Sequence, residues 1–210
     1  VVIEPADDLP LDDRRLVAVS NAEPSTILFV HSDPRRRDLT FFSAALDASS
    51  QAMFRVEGAT VTQAEQSRLD QHALVILSDV PRLSQAAADR FEFYMREGGA
   101  VLVVVGSRAT LAARSTLLED GIEESSYTGR EQQRFQFAGP MDESHPVLNQ
   151  VKSFQGVKFY RYAKLPVGED DDVLARLSDG SPLLVERRVG DGRMLILASS
   201  LGNIWNDLPV

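Results

Sequence analysis

A chain of 210 residues, 43% hydrophobic and 25% charged, has an ordinary globular composition and is long enough to bury a core without metal or disulfide. Its net charge of −9 leaves no dominant basic face, which argues against nucleic acid as a partner. The absence of Cys removes disulfides, thiolate metal sites and a Cys nucleophile together.

The chain begins with an acidic, Pro-containing lead (Glu4 to Asp13) into a short apolar run, Leu16 to Val19, and Glu23-Pro24 separates this run from the rest of the chain. Residues 1–23 therefore read as a terminal strand and linker from a preceding domain, and residues 24–210 as one α/β domain. Neither end carries a Met start or a polar tail, which reads as a piece of a longer protein, and no run approaches the roughly 20 apolar residues of a membrane helix.

From residue 24 the pattern alternates. Thr26 to His31 is a continuous apolar run of strand length, and Leu39 to Leu46 has helical spacing. Phe54 to Val56 is a weak strand and Gln63 to Leu69 a polar helix; Ala73 to Leu77 is a second buried strand. Ser84 caps a helix over Gln85 to Glu97 that stops at Gly98-Gly99, and Ala100 to Val105 is a third buried strand. Runs apolar on both faces and separated by helices predict a mostly parallel, doubly wound sheet covered on both sides. Beyond Ser107 the pattern loosens, with a helix near Leu111 to Leu118. Strands are expected over Phe159 to Leu165 and Val173 to Leu177, and Leu183 to Val189 with Arg193 to Ser199 form an antiparallel hairpin across Gly190-Asp191-Gly192.

In such a sheet ligands bind beyond the carboxyl ends of the strands, which singles out His31-Ser32-Asp33, Ser78-Asp79 and Gly106-Ser107-Arg108. A hydrolase would place its nucleophile at Ser107, but Val105-Gly106-Ser107-Arg108-Ala109 keeps only the first Gly of a nucleophile elbow. The only downstream His, His145, precedes a Pro in a loop. A receiver-like phosphoacceptor would use Asp79 with Asp33 and Lys164. His31-Ser32 replaces much of the expected acidic pair, however, and the 56 residues from 108 to 163 are too many; a turn Asp that caps the next segment is the simpler reading. The run Glu169 to Asp172 reads as a solvated turn, and Arg35-Arg36-Arg37 as a salt-bridged loop rather than an anion site. Trp205, the only Trp, closes a core or packs on a neighbour.

Four blocks carry a resemblance. They are Asp8 to Arg14; Leu77-Ser-Asp-Val-Pro81 with Gly98 to Leu102; His145-Pro-Val147 with Phe159 to Tyr162; and Ala198 to Leu201 with Trp205-Asn-Asp-Leu-Pro209. Together they resemble the glutamine-amidotransferase-like domain of bacterial aerotolerance-regulator (BatA-like) membrane proteins. The resemblance implies a flavodoxin-like, class I glutamine-amidotransferase-like three-layer core, between an upstream β-sandwich and a downstream membrane helix. It also implies an extracytoplasmic location, tethered in the inner membrane through segments outside this chain. Envelope proteins, von Willebrand A-type proteins and AAA-type ATPases would be its partners.

The Cys slot of the active amidotransferases would fall near Ser107, so a fold carries over and an activity does not. The expectation is a non-catalytic binding or assembly module without cofactor or metal, binding through Asp33, Asp79, Ser107, Arg108, Trp205 and Asn206. The segment Leu201 to Pro209 is its expected docking surface.

Overall fold

The computed structural model describes residues 24–48, 54–81, 83–111, 123–124, 134–149, 151, 154 and 156–208. The expected terminal strand over Leu16 to Val19, and most of the helix expected near Leu111 to Leu118, lie outside these residues.

The strands β1 (Ser25–His31), β2 (Phe54–Thr60), β3 (Leu74–Ser78) and β4 (Ala100–Val104) form where the apolar runs lie. The helices α1 (Arg37–Ala48), α2 (Val61–Ala64) and α3 (Gln85–Arg96) connect them. Helix α3 starts where the Ser84 hydroxyl accepts the Ala87 amide at 3.2 Å. It ends in a Schellman pair, with Gly99 N–H on the Tyr94 carbonyl and Gly98 N–H on that of Met95, both 2.9 Å. The polar helix expected over 63–69 is instead α2 followed by a single 3₁₀ turn at Leu69–Gln71. Thr60 and Gln63 form a capping box that starts α2 early.

Helix α4 (Ser107–Leu111) follows β4. The remaining strands are β5 (Glu123–Glu124), β6 (Gln136–Met141), β7 (Lys158–Phe159), β8 (Ala163–Lys164), β9 (Asp172–Leu177), β10 (Pro182–Val189) and β11 (Gly192–Leu197). Among the described residues nine strands make one sheet in the order β2-β1-β3-β4-β11-β10-β9-β6-β7, while β5 and β8 pair apart.

The class is α/β, as expected, but the sheet is less parallel than expected. β2, β1, β3, β4 and β11 run parallel, whereas β10, β9, β6 and β7 continue antiparallel. The C-terminal hairpin is not an appendage, because β11 pairs in parallel with β4 and so joins the two halves. The strand expected over 159–165 splits into β7 and β8, which belong to different sheets.

Among the described residues three clusters fill the interior. One packs α3, through Ala87, Phe91 and Met95, on one face of the parallel strands. A second packs Leu39, Phe42 and Leu46 of α1 on the other face. The third, with Leu148, Phe159, Leu177 and Leu183, belongs to the antiparallel half. The parallel half is thus a three-layer arrangement.

Candidate functional site

The strand order β2-β1-β3 means that the chain leaves β1 towards one edge and returns on its other side. The carboxyl ends of β1 and β3 therefore flank a topological switch point, where loops diverge and leave a crevice. A cleft of about 220 Å³ lies there. It is lined from β1 by His31 and Asp33, from β3 by Ser78 and Asp79, and from the turn after β4 by Gly106, Ser107 and Arg108. Arg36, Arg37 and Asp38 at the start of α1 and a C-terminal turn, Ser200 to Trp205, complete the wall.

Asp79 is the keystone. It sits at φ 48°, an uncommon conformation for a non-glycine residue, directly after β3. Its Oδ1 accepts the amides of Arg108 at 2.8 Å and Ala109 at 3.0 Å. Its carbonyl accepts the Ser32 hydroxyl at 2.6 Å, and Ser32 Oγ in turn accepts Arg108 Nη1 at 3.3 Å. The turns after β1, β3 and β4 are thereby tied through one residue. Gly106 is required beside it, since a β-carbon there would lie 2.6 Å from the Asp79 carboxyl carbon.

Asp38 is the second carboxylate of the cleft. The buried Ser78 hydroxyl donates to its Oδ2 at 2.7 Å, linking β3 to α1. The C-terminal turn closes on the other oxygen, where a β-carbon at Gly202 would come within 2.5 Å of Asp38 Oδ1. Burial is the main cause that pushes both carboxyls above their usual range, and each is raised further by a neighbouring aspartate: Asp33 acts on Asp38, and Asp38 on Asp79. Asp33 moves the other way, held down chiefly by the Arg35 amide and also by the nearby Arg37 and Arg108 guanidiniums.

Trp205, 2% exposed, lies against this wall and donates its indole N–H to Ser107 Oγ at 3.2 Å. His31 Nδ1 lies 3.1 Å from the Asp33 carbonyl, so that nitrogen carries the proton and donates.

Of the six residues expected to bind, Asp33, Asp79, Ser107, Arg108 and Trp205 converge on the cleft. Asn206 does not line it. Its buried amide donates to Ser199 Oγ at 2.8 Å and to the Ser200 carbonyl at 2.7 Å, and its Oδ1 accepts the Leu208 amide. It fastens the C-terminal turn and stands outside the cleft lining. The expected docking surface is likewise turned inward at Trp205, and among its described residues Ile204 alone is strongly exposed, at 55%.

Lys164, exposed on β8, is not among the cleft residues. His145 belongs to another groove, where its Nε2 meets Glu186 at 2.8 Å. The Glu169 to Asp172 run is a turn that leads into β9 at Asp172, and Asp171 pairs with Arg187. Among the described residues no group of three or more His, Asp or Glu is placed to hold a metal ion. In Arg35-Arg36-Arg37, Arg37 pairs with Asp33 at 3.7 Å, but Arg36 and Arg37 also line the cleft.

No protein-family model matches the sequence, and no curated protein matches it. Solved structures do share the fold. A cytoplasmic protein of Salmonella typhimurium superimposes with a TM-score of 0.66 at 15% identity, over 86% of this chain and 89% of that one. A ThuA-like protein of Bacteroides uniformis gives 0.55 at 14% identity, over 90% and 87%. A beta-galactosidase from Rahnella sp. R3 gives 0.62 at 13%, over 87% of this chain and 29% of the enzyme. At these identities the likeness concerns the α/β fold.

The extracytoplasmic, membrane-tethered placement implied by the sequence resemblance is corrected by these findings. The finding against it is that two proteins with this fold, both from Salmonella typhimurium, are cytoplasmic. Among the described residues no helix is long and apolar enough to cross a membrane.

Proposed function

We propose that this domain is a non-catalytic binding module whose ligand is a small polar molecule seated in the switch-point cleft. One observation carries the reading: polar groups that line the cleft are tied into hydrogen bonds that hold it open and in shape. Ser107 Oγ accepts the Trp205 indole, His31 Nδ1 serves the Asp33 carbonyl, and Asp79 Oδ1 takes two backbone amides. The same bonds pre-form the cleft, which lowers the ordering cost of binding.

Its chemistry is two-sided. Arg36, Arg37 and Arg108 suit an anionic group, while Asp38 and Asp79 suit hydroxyl or amine donors. The hydrolase reading through Ser107 or His145 is disfavoured because His145 is bonded to Glu186 in a separate groove. The phosphoacceptor reading at Asp79 is disfavoured because its carboxylate caps the turn after β4. The ThuA-like neighbour supports a glutamine-amidotransferase-like version of the fold. An assembly role beside von Willebrand A-type and AAA-type proteins rests on the sequence resemblance alone.

Thermal-shift titration with citrate and with inorganic phosphate tests the binding reading. A saturable rise is expected for the wild type, scaling to about 2.7 kcal/mol at a hundredfold excess over Kd. Arg36→Gly, which removes a cation and relieves a positive φ of 51°, is expected to weaken that rise without loss of fold. Labelling of Ser107 by an acyl-phosphonate probe would instead favour the hydrolase.

A further inference from the structure

We propose that two copies of this chain associate through the outer edge of β2, pairing antiparallel about a two-fold axis at Val56 to form one continuous sheet.

β2 ends the nine-stranded sheet and pairs only with β1 among the described residues. It is seven residues long, and all but Val56 and Ala59 are exposed. An outer edge of that length offers a row of amides and carbonyls to another strand. Proteins that keep such an edge single usually bulge it, shorten it, cover it or place Pro or charges in it, and the two charges that β2 carries, Arg55 and Glu57, are of opposite sign. β2 has no Pro and pairs with β1 in unbroken register from Phe54 to Thr60.

The side chains favour a second copy as the occupant. In an antiparallel pair centred on Val56, Arg55 of one copy faces Glu57 of the other, and the symmetry makes this contact twice. Opposite charges directly across a pair of strands stabilise it, and like charges there destabilise it. Arg55 and Glu57 share the sheet face that carries Ala59, which packs with Ala64 and Leu77. Glu57 also meets His72 at 3.5 Å, yet its side chain stays 54% exposed and reachable.

The opposite face is matched as well. Phe54, 43% exposed, would lie across from Gly58 of the other copy. Leu39 Cδ2 covers Gly58 within 2.6 Å of where a β-carbon would stand, so the incoming ring would meet an apolar side chain. Charge pairs on one face and an aromatic–aliphatic contact on the other thus arise from the same register. A shift by one residue would separate both. The interface is isologous, as closed two-fold symmetry requires.

Sedimentation of the full chain over a concentration series tests this. The wild type is expected to dimerise. Glu57→Arg and Arg55→Glu, each placing like charges opposite one another twice, are expected to raise the dimer dissociation constant by about tenfold or more. The double reversal, Arg55→Glu with Glu57→Arg, restores complementarity and is expected to recover the wild-type constant.

Because the chain has no Cys, Val56→Cys gives a clean second readout that leaves the charges untouched. A residue on the two-fold axis faces itself with β-carbons about 4.5–5.5 Å apart, so mild oxidation should link two copies covalently. Glu92→Cys, on the outward face of α3 with its side chain 46% exposed, should not link. A wild type that stays monomeric overturns the proposal, whether residues 1–23 or nothing covers the edge. Single reversals that leave the dimer unchanged, a double reversal as weak as the singles, or an unlinked Val56→Cys would do the same.

Discussion

The two halves of the sheet use similar polar residues to opposite ends. In the parallel half every strand points the same way, so the turns after β1, β3 and β4 gather at one edge. There Asp33, Asp38, Asp79 and three arginines share a single cleft. In the antiparallel half successive strand ends alternate sides, and polar groups pair off locally. Asp171 takes a bidentate bond from Arg187, with both contacts at 2.8 Å, and Glu186 sits between His145 and Arg193. The electrostatics follow the topology: Asp38 and Asp79 are pushed up by burial, while Asp171 is held down, first of all by Arg187. Crowding carboxylates at one edge costs stability and leaves an open cleft; distributing them yields structural pairs.

Trp205 tests that contrast most severely, because it closes the crowded half. It is 2% exposed and stands among the largest fully buried side chains. Trp205→Ala is expected to lower unfolding free energy by about 3–5 kcal/mol, as large-to-small changes at buried aromatic positions do. Denaturant midpoints at constant m-value measure it. Ser107 would lose the indole donor at the same time, so anion binding should fall even in the folded fraction. Unchanged stability would mean that Trp205 is not part of the core and would revive a docking role for residues 201–208.

The local pairs of the other half predict a smaller, pH-dependent effect. The side chain of Asp171 is only 3% exposed, and Arg187 supplies two of its hydrogen bonds. Arg187→Met should cost about 1.5–3 kcal/mol near neutral pH, the range for hydrogen bonds to a charged group. Because the folded pKa of Asp171 is depressed, its contribution is present above the unfolded value and is lost as pH falls through the folded one. The variant should therefore match the wild type in strong acid and diverge as pH rises. A constant difference across that range would show that packing of the arginine stem, and not the ion pair, sets the cost.

The parallel half was also the more legible in sequence, for the same topological reason. Ile27 to Val30 and Val75 to Leu77 are buried on both faces, and only a strand of a covered sheet needs so short a continuous apolar run. The rule that ligands lie beyond parallel strand ends then found Asp33, Asp79 and Ser107 without any distance. Asp38 escaped because it opens a helix, where an acid is expected anyway, and its role depends on Ser78 forty residues away. Asn206 misled because a polar residue in an aromatic turn looks exposed, whereas its amide satisfies buried groups at Ser199 and Ser200. β6 was missed because Gly139-Pro140 interrupts a half-exposed strand whose pairing with β9 shifts register. The hairpin signal fixed the pairing of β10 with β11, but such a signal is local. It could not say that β11 would join β4 and carry the antiparallel strands with it.

Asp38→Asn gives the smallest and most specific test of the crowded cleft. A carboxyl whose folded pKa is raised prefers its protonated form in the native state. Its favourable contribution is full below the unfolded value and is lost as pH rises through the folded one. At neutral pH the ionised Asp38 therefore weakens the fold, and it also raises Asp79 beside it. An asparagine keeps an oxygen to accept the Ser78 hydroxyl while removing the charge. The expected result is a gain on the order of 0.5 kcal/mol near neutral pH, the scale of a polar change outside the core. That gain should vanish in acid, where Asp38 is protonated in the wild type. Anion binding should strengthen as one negative charge leaves the arginines' surroundings, whereas ligands bearing an amine should bind less well. If Asp38→Asn instead destabilises the protein at neutral pH, the carboxylate is held as a charge by the arginines around it. The contrast between a crowded half and a paired half then fails at the residue on which it most depends.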